Sequence, residues 1–199
     1  NLTDYVCRNT IIPYLSKNNT NDVHELICEY EDEIEELEEK IQKIRIVDPA
    51  CGSGAFLINA AEILLEITEE IEMIKNDETD QVPSGTLDEW KWQKEKEVSK
   101  IIENNIFGAD VNRESVEITK LSLFLKMAKP GETLANLSKN ILNRNSVIDD
   151  KQIVPNAMIW ENEFPGIMKS GGFDVVVGFI VISRTAGVVF NNQSVWSFF

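Results

Sequence analysis

The sequence contains few of the side chains that metal sites and disulfide frameworks require. Its 199 residues include one histidine, His24, and three cysteines, Cys7, Cys28 and Cys51. The cysteines are odd in number and lack the spacing of a zinc motif. We therefore expect no metal site, and we expect reduced cysteines of the kind found in a cytoplasmic protein.

Long apolar runs are also missing. No stretch approaches the roughly 20 consecutive apolar residues of a membrane-spanning helix, so we expect no membrane partner. No charged-then-apolar leader opens the chain, and Asn1 stands where an initiator methionine would be, so we expect a fragment of a longer protein. The hydrophobic content of 43% is ordinary for a globular protein, and the length suits one domain with a substantial core.

Basic residues are outnumbered by acidic ones. The chain has 19 Lys and Arg against 34 Asp and Glu, which gives a net charge of −15. Proteins that bind nucleic acid normally neutralise phosphates with Lys and Arg. Either nucleic acid is not the partner, or the basic recognition surface lies elsewhere in a longer protein. Residues 25–39 hold nine acids and no base, which indicates one solvated helix face.

The chain is organised around residues 44–57. An apolar run ends in Asp48, a loop of small residues contains Gly52 and Gly54, and a helical pattern follows. Glycine permits positive φ and leaves room for a ligand. The dinucleotide-binding pattern G-x-G-x-x-G is incomplete, because Leu57 stands at the third glycine. At this point a structural turn without a ligand remains an alternative.

Further strands are predicted at residues 106–112, 140–148 and 171–178. The first carries Asp110, whose carboxylate can accept hydrogen bonds from both hydroxyls of a ribose. A helix is predicted from Arg113 to about residue 129, and its many apolar residues imply burial against a sheet.

These motifs resemble those of adenine-specific (N6) DNA methyltransferases of restriction–modification systems, such as type I modification subunits and fused type II restriction–methylation enzymes. The string from Asp48 to Leu57 is similar to their cofactor loop, and residues 108–117 and 120–125 are similar to their second motif. Asn145 matches a position whose side chain accepts a hydrogen bond from the adenine amino group of the cofactor. The alternative is that Asn145 is only a turn residue. The resemblance implies S-adenosyl-L-methionine as cofactor, held by Asp48, Pro49, Ala50, Cys51, Gly52, Ser53, Gly54, Phe56, Asp110, Val111, Asn145 and Ser146.

The catalytic loop of this family has no counterpart in the sequence. In relatives the fourth strand is followed at once by Asn-Pro-Pro-Tyr, which binds the amino group of the target adenine and stacks on the flipped base. Here Gly178 is followed by Phe-Ile-Val-Ile, and no residue of 179–199 can be mapped to those roles. We therefore name no catalytic residue. We interpret 179–199 as a non-family tail, from a truncated or frameshifted reading frame rather than from true divergence.

The resemblance implies an α/β fold: a Rossmann-like S-adenosylmethionine-dependent methyltransferase fold with a partial sheet and helices on both faces. We predict an N-terminal helical arm at residues 1–43 and a cofactor-binding core at 44–178. A helical insertion is expected within that core at about residues 70–100.

Periodicity predicts the helices of these segments. A short helix with Tyr5 should stop near Pro13, because proline lacks the N–H that a helix interior needs. Residues 3–10 resemble the end of the family's N-terminal cofactor motif, with an ordinary amphipathic helix as the alternative. Apolar residues from Val23 to Ile44, spaced by three and four, predict one long helix. These apolar residues form a seam along the helix, which should pack on its own domain. The alternative is that the seam binds a coiled-coil partner or mediates self-association. Further helices are predicted at residues 57–74 and 90–104.

The function implied is that of the cofactor-binding portion of a DNA adenine N6-methyltransferase. In the full-length protein the methyl group would pass from S-adenosylmethionine to adenine, with DNA bound through a recognition domain missing here. The fragment alone is expected to be inactive. One alternative is an S-adenosylmethionine-binding or scaffold module without transfer activity. Another is a methyltransferase for RNA or protein, against which the complete glycine-loop string argues.

Overall fold

The computed structural model describes residues 2–78, 98–127 and 137–178. Its elements in chain order are α1 (Leu2–Leu15), α2 (Val23–Cys28), α3 (Ile34–Lys43), β1 (Ile46–Asp48), α4 (Ala55–Glu78), α5 (98–105), β2 (Ile106–Asp110), α6 (Arg113–Met127), a 3₁₀ turn (Leu137–Lys139), β3 (Ile141–Asn143), α7 (Trp160–Glu163), α8 (Pro165–Lys169) and β4 (Val175–Val176).

The strands form one parallel sheet in the order β3-β2-β1-β4. Val47 lies opposite Phe107 on one side and Val176 on the other, and Asp110 lies opposite Asn143. Because all pairs are parallel, the carboxyl ends of the strands lie on one edge of the sheet. The predicted α/β, Rossmann-like fold class is confirmed by this sheet and its helical crossovers.

Alternate strand residues face two different layers. Ile46 and Ile106 belong to a large cluster with the apolar residues of α1 to α4 and α6, whereas Val47 and Phe107 face a smaller cluster. The smaller cluster is aromatic: the ring of Phe107 lies 5.5 Å from that of Phe164 and 5.4 Å from that of Phe173. The short helices α7 and α8 therefore cover the second face of the sheet, as the fold prediction requires.

The prediction of one long helix from Val23 to Ile44 is wrong. The helix is interrupted at residues 29–33, between α2 and α3. Tyr30 at this break is fully buried, and its hydroxyl donates to the carbonyl of Leu15 at 2.6 Å. Burial of a large side chain and a hydrogen bond to α1 outweigh the continuation of a regular helix.

The apolar seam of α2 and α3 is buried within the chain itself. Leu26, Leu37 and Ile41 share the main cluster with α4 and the sheet. Packing on its own domain is therefore observed, and this seam is not available for the coiled-coil or self-association alternative. The helices of the predicted arm thus contribute to the same core as the sheet.

Helix α1 passes through Pro13 instead of ending there. Tyr14 and Leu15 remain helical after the proline, and Leu15 is fully buried. One backbone hydrogen bond is lost at the proline, and burial of Leu15 compensates for it.

Helix α6 buries one face, although its many apolar residues predicted wider burial against the sheet. Val116, Thr119 and Leu123 form the buried face, while Ile118 and Leu121 are more than half exposed. A helix that packs on one layer buries one stripe, so the apolar residues outside that stripe stay at the surface.

Several predictions fall partly outside the described residues. Of the helix predicted at 90–104, residues 98–104 are described and are helical. Of the insertion predicted at about 70–100, the structure describes residues 70–78 of α4 and residues 98–100 of α5. The tail at 179–199 lies outside them altogether. Within the described segments, no helix is long and apolar enough to cross a membrane.

Candidate functional site

The carboxyl ends of β1 and β2 bring two carboxylates to the same edge of the sheet. Asp48 is the last residue of β1 and Asp110 is the last residue of β2. The glycine loop leaves β1 between them and leads directly into α4. The structure thus brings together two of the residues that the resemblance assigns to the cofactor.

The Asp48 carboxylate is almost completely buried, with 1% of the residue exposed. It accepts a hydrogen bond from the backbone N–H of Ala50 at 3.0 Å. Burial raises the pKa of Asp48 to about 7; the Ala50 hydrogen bond acts against this rise, and the negative charge of Asp110 adds to it. An anionic Asp48 therefore has a strong need for a cationic partner.

Asp110 holds the glycine loop through its carboxylate. One oxygen accepts the N–H of Gly52 at 2.9 Å, and the other accepts the N–H of Asn112 at 2.8 Å. Each carboxylate oxygen has two lone pairs, so each retains acceptor capacity for a ligand.

The loop has a backbone shape that requires glycine. Gly52 has φ +53° and Gly54 has φ +87°, and the N–H of Cys51 donates to the carbonyl of Ala109 at 3.0 Å. A Cβ on Gly52 would meet no atom within 4 Å. Open space therefore lies beside Gly52, the residue whose N–H donates to Asp110.

The buried residues Cys51 and Phe56 cannot offer side chains to a ligand. Burial raises the pKa of the Cys51 thiol to about 12, with the charges of Asp48 and Asp110 as further causes. By contrast, Ala50, Ser53 and Val111 are exposed. The predicted role of Cys51 and Phe56 is thus limited to their backbone groups.

The loop after β3 touches the glycine loop. The hydroxyl of Ser146 donates to the carbonyl of Pro49 at 2.5 Å. The side-chain oxygen of Asn145 accepts the N–H groups of Val147 and Ile148, both at 3.0 Å. These two bonds are typical of the turn-residue alternative, and the acceptor role of Asn145 towards the cofactor stays a prediction.

Gly178, the last described residue, lies against Asp48. It has φ +121°, and a Cβ at this position would overlap the carboxylate of Asp48. The end of β4 thus meets the end of β1 at the same edge of the sheet as the glycine loop.

The close approach of α4 to the sheet is provided by an unexpected glycine. A Cβ on Gly108 would lie 2.8 Å from Cδ1 of Leu57. In the dinucleotide fingerprint the third glycine lets helix and strand pack closely. Here the glycine is on the strand and the leucine on the helix, which explains how Leu57 is accommodated.

Thr119 is the functional candidate that sequence reasoning missed. It is fully buried on α6, and its hydroxyl donates to the carbonyl of Gly52 at 2.8 Å. Its only signal in the sequence was a polar residue on the buried stripe between Val116 and Leu123.

The part of the chain that carries Asp110, Thr119 and the loop after β3 has a clear relationship to known proteins. Residues 104–178 match the family described as Eco57I restriction-modification methylase. The resemblance predicted from the motifs is confirmed.

Individual relatives of the methylase family extend this match. The chain is 36% identical over 119 residues, 55% of its length, to a protein of Methanocaldococcus jannaschii that bears the name of a type II restriction enzyme and methyltransferase. It is 29% identical over 185 residues, 87% of its length, to the type II restriction enzyme and methyltransferase RM.Eco57I of Escherichia coli. A third relative, 26% identical over 90 residues and 45% of the chain, is the adenine-specific methyltransferase PglX of Lacticaseibacillus casei.

The alignments cover a small part of these larger proteins. The chain spans 9%, 16% and 6% of the lengths of the three relatives. The alignment with RM.Eco57I covers 87% of the chain. The uncovered part is shorter than the distance from the glycine loop to either end of the chain, so the alignment includes the loop.

Proposed function

We propose that this chain is the S-adenosylmethionine-binding portion of a DNA adenine N6-methyltransferase of a restriction–modification system. The observation that carries the proposal is the pair of carboxylates, Asp48 and Asp110, on either side of the glycine loop with open space beside Gly52. The family match supports the reaction class, because its description is that of a methylase.

The chemistry of the site fits this cofactor. S-adenosylmethionine carries a positive ammonium and a positive sulfonium, and an electron-rich carboxylate stabilises such charges in a buried setting. Asp48 and the backbone of residues 49–54 would hold the methionine end. When bound, the cofactor supplies an electrophilic methyl group, and the protein contributes orientation and exclusion of water.

Asp110 would hold the ribose. Its two oxygens each accept one backbone N–H and each retain a lone pair, so two neighbouring hydroxyls can donate to them. Val111 follows directly and is 60% exposed, which offers an apolar surface to a purine ring. Ser146 would act through its hydrogen bond to the glycine loop, and Asn145 through its turn.

The substrate and partner follow from the relatives. Adenine in DNA is proposed because PglX is named as adenine-specific and because the other two relatives are named as restriction enzymes and methyltransferases. With a net charge of −15, the chain needs a basic DNA-binding surface from another part of the protein. A cytoplasmic location agrees with a role on cellular DNA.

The chain by itself is proposed to bind cofactor without transferring methyl groups. Phe179 follows Gly178 at the position where the methyltransferases that the sequence resembles carry their catalytic asparagine. The same difference is the reason for the alternative of a binding module without transfer activity. Tritiated methyl incorporation into unmethylated DNA, above a control without protein, would contradict this part of the proposal. Restoring Asn-Pro-Pro-Tyr after Gly178 in a longer protein that includes the recognition domain should restore incorporation, whereas a pure binding module would stay inactive.

Cofactor binding is tested by calorimetry with S-adenosylhomocysteine. We expect Asp110→Ala to weaken binding at least tenfold, because both ribose acceptors are lost, and Asp149→Ala, an exposed acid outside the site, to bind as the wild type does. Equal affinity of the wild type and Asp110→Ala would remove the ribose assignment, and no binding by the wild type would remove the proposed function.

A further inference from the structure

Thr119 makes a hydrogen bond that is unusual for a helical threonine. A threonine inside a helix commonly donates to the carbonyl four residues before it. Thr10 does so to Val6 at 2.7 Å, and Thr68 does so to Leu64 at 2.8 Å. The hydroxyl of Thr119 instead crosses to the carbonyl of Gly52, 67 residues earlier in the chain, at 2.8 Å.

With this bond, both backbone groups of Gly52 in the glycine loop have a hydrogen-bond partner. The N–H of Gly52 donates to Asp110, and its carbonyl accepts from Thr119. With both backbone groups held, Gly52 keeps the positive φ of +53° that turns the loop. Two elements that follow the loop in sequence, β2 and α6, therefore set its shape.

The methyl group of Thr119 has a separate contact in the same loop. A Cβ on Gly54 would lie 2.8 Å from Cγ2 of Thr119, so the methyl group sits directly against the glycine backbone. Thr119 is fully buried, and a valine of the same shape would fill this position without the cost of burying a hydroxyl. The hydroxyl therefore has a purpose that packing alone does not explain.

We propose that Thr119 is a positioning residue for cofactor binding, which holds the Gly52 carbonyl so that the loop faces the ligand in its binding shape. This inference rests on the proposed function. Thr119 does not touch the ligand; it acts through the glycine loop.

The test separates the hydroxyl from the methyl group. Thr119→Val removes only the hydroxyl, and Thr119→Ser removes only the methyl group. Thr68→Val is the matched control, because it removes a helical hydroxyl that bonds within its own helix. S-adenosylhomocysteine affinity is measured by calorimetry, and hydrogen exchange at the amides of residues 52–54 is measured in the protein without cofactor.

We expect Thr119→Val to bind S-adenosylhomocysteine at least tenfold more weakly and to exchange the Gly52 amide faster. Thr119→Ser should retain affinity within about threefold, and Thr68→Val should match the wild type in both measurements. Wild-type affinity in Thr119→Val, or an equal loss in Thr119→Ser, overturns the inference while the proposed function stands. If the wild type itself does not bind, the proposed function falls and the inference with it.

Discussion

Replacing Asp48 with asparagine should stabilise the protein and weaken cofactor binding at the same time. Asp48 is buried and carries a pKa raised to about 7, chiefly by burial. Asparagine has the same shape and can still accept the N–H of Ala50, but it has no charge. The substitution therefore isolates the cost of an ionised carboxylate in this position.

The magnitude follows from the difference between the folded-state pKa of about 7 and the ordinary value of 3.8. Each pKa unit corresponds to about 1.4 kcal/mol, so an ionised Asp48 costs the folded state on the order of 4 kcal/mol at pH 8. Because the folded pKa is raised, this cost is absent below the unfolded pKa of 3.8, grows as the pH rises from there, and is complete above the folded pKa of about 7. At pH 5 the cost is on the order of 2 kcal/mol, since the unfolded carboxyl is already largely ionised.

The assay is urea unfolding of the wild type and of Asp48→Asn at pH 5 and pH 8, with Asp32→Asn as the control at an exposed site. The stability gain of Asp48→Asn should be about twice as large at pH 8 as at pH 5, and Asp32→Asn should change little at either pH. Calorimetry with S-adenosylmethionine should show at least tenfold weaker binding by Asp48→Asn. A gain that does not grow with pH would refute the argument that burial dominates the Asp48 carboxylate.

Two further predictions concern glycines of the same region. Gly178→Ala should destabilise the protein by at least about 2 kcal/mol in urea unfolding, because the positive φ of Gly178 and the Asp48 carboxylate both oppose a Cβ. The double variant with Asp48→Ala should recover part of that loss, and additive effects of the two substitutions would contradict the contact. Gly108→Ala should lower the free energy of unfolding by about 1–3 kcal/mol, because Leu57 must move to admit the Cβ. The control Gly166→Ala should be neutral or slightly stabilising, since its Cβ would meet no atom within 4 Å. Equal effects of the two substitutions would argue against close packing of α4 on β2.

The strands along the chain and the acids at their ends were predictable because their signals are local. An apolar run that ends in Asp48 or Asp110 before a turn specifies a strand with a polar end, and parallel pairing then brings such ends together. The helix from residue 57 was equally clear, because its periodicity is uninterrupted.

Other features depended on distant partners and left little trace in the local pattern. The periodicity from Val23 to Ile44 is continuous, but Tyr30 leaves the helix to reach Leu15. The partners of Asn145 are local by contrast, because its side-chain oxygen accepts the N–H groups of Val147 and Ile148. An asparagine after a strand suits both a cofactor contact and a turn, so the sequence left both interpretations open.

The sequence by itself determined the glycine loop and the acids at the strand ends, because both are encoded in short, contiguous motifs. Tertiary structure decided how that loop is held. Thr119 reaches Gly52, Gly108 makes room for Leu57, and Gly178 meets Asp48, each across more than 50 residues of chain. Such contacts form only when the sheet and its helices are assembled, since hydrogen bonding and close packing depend on distances that no local pattern specifies.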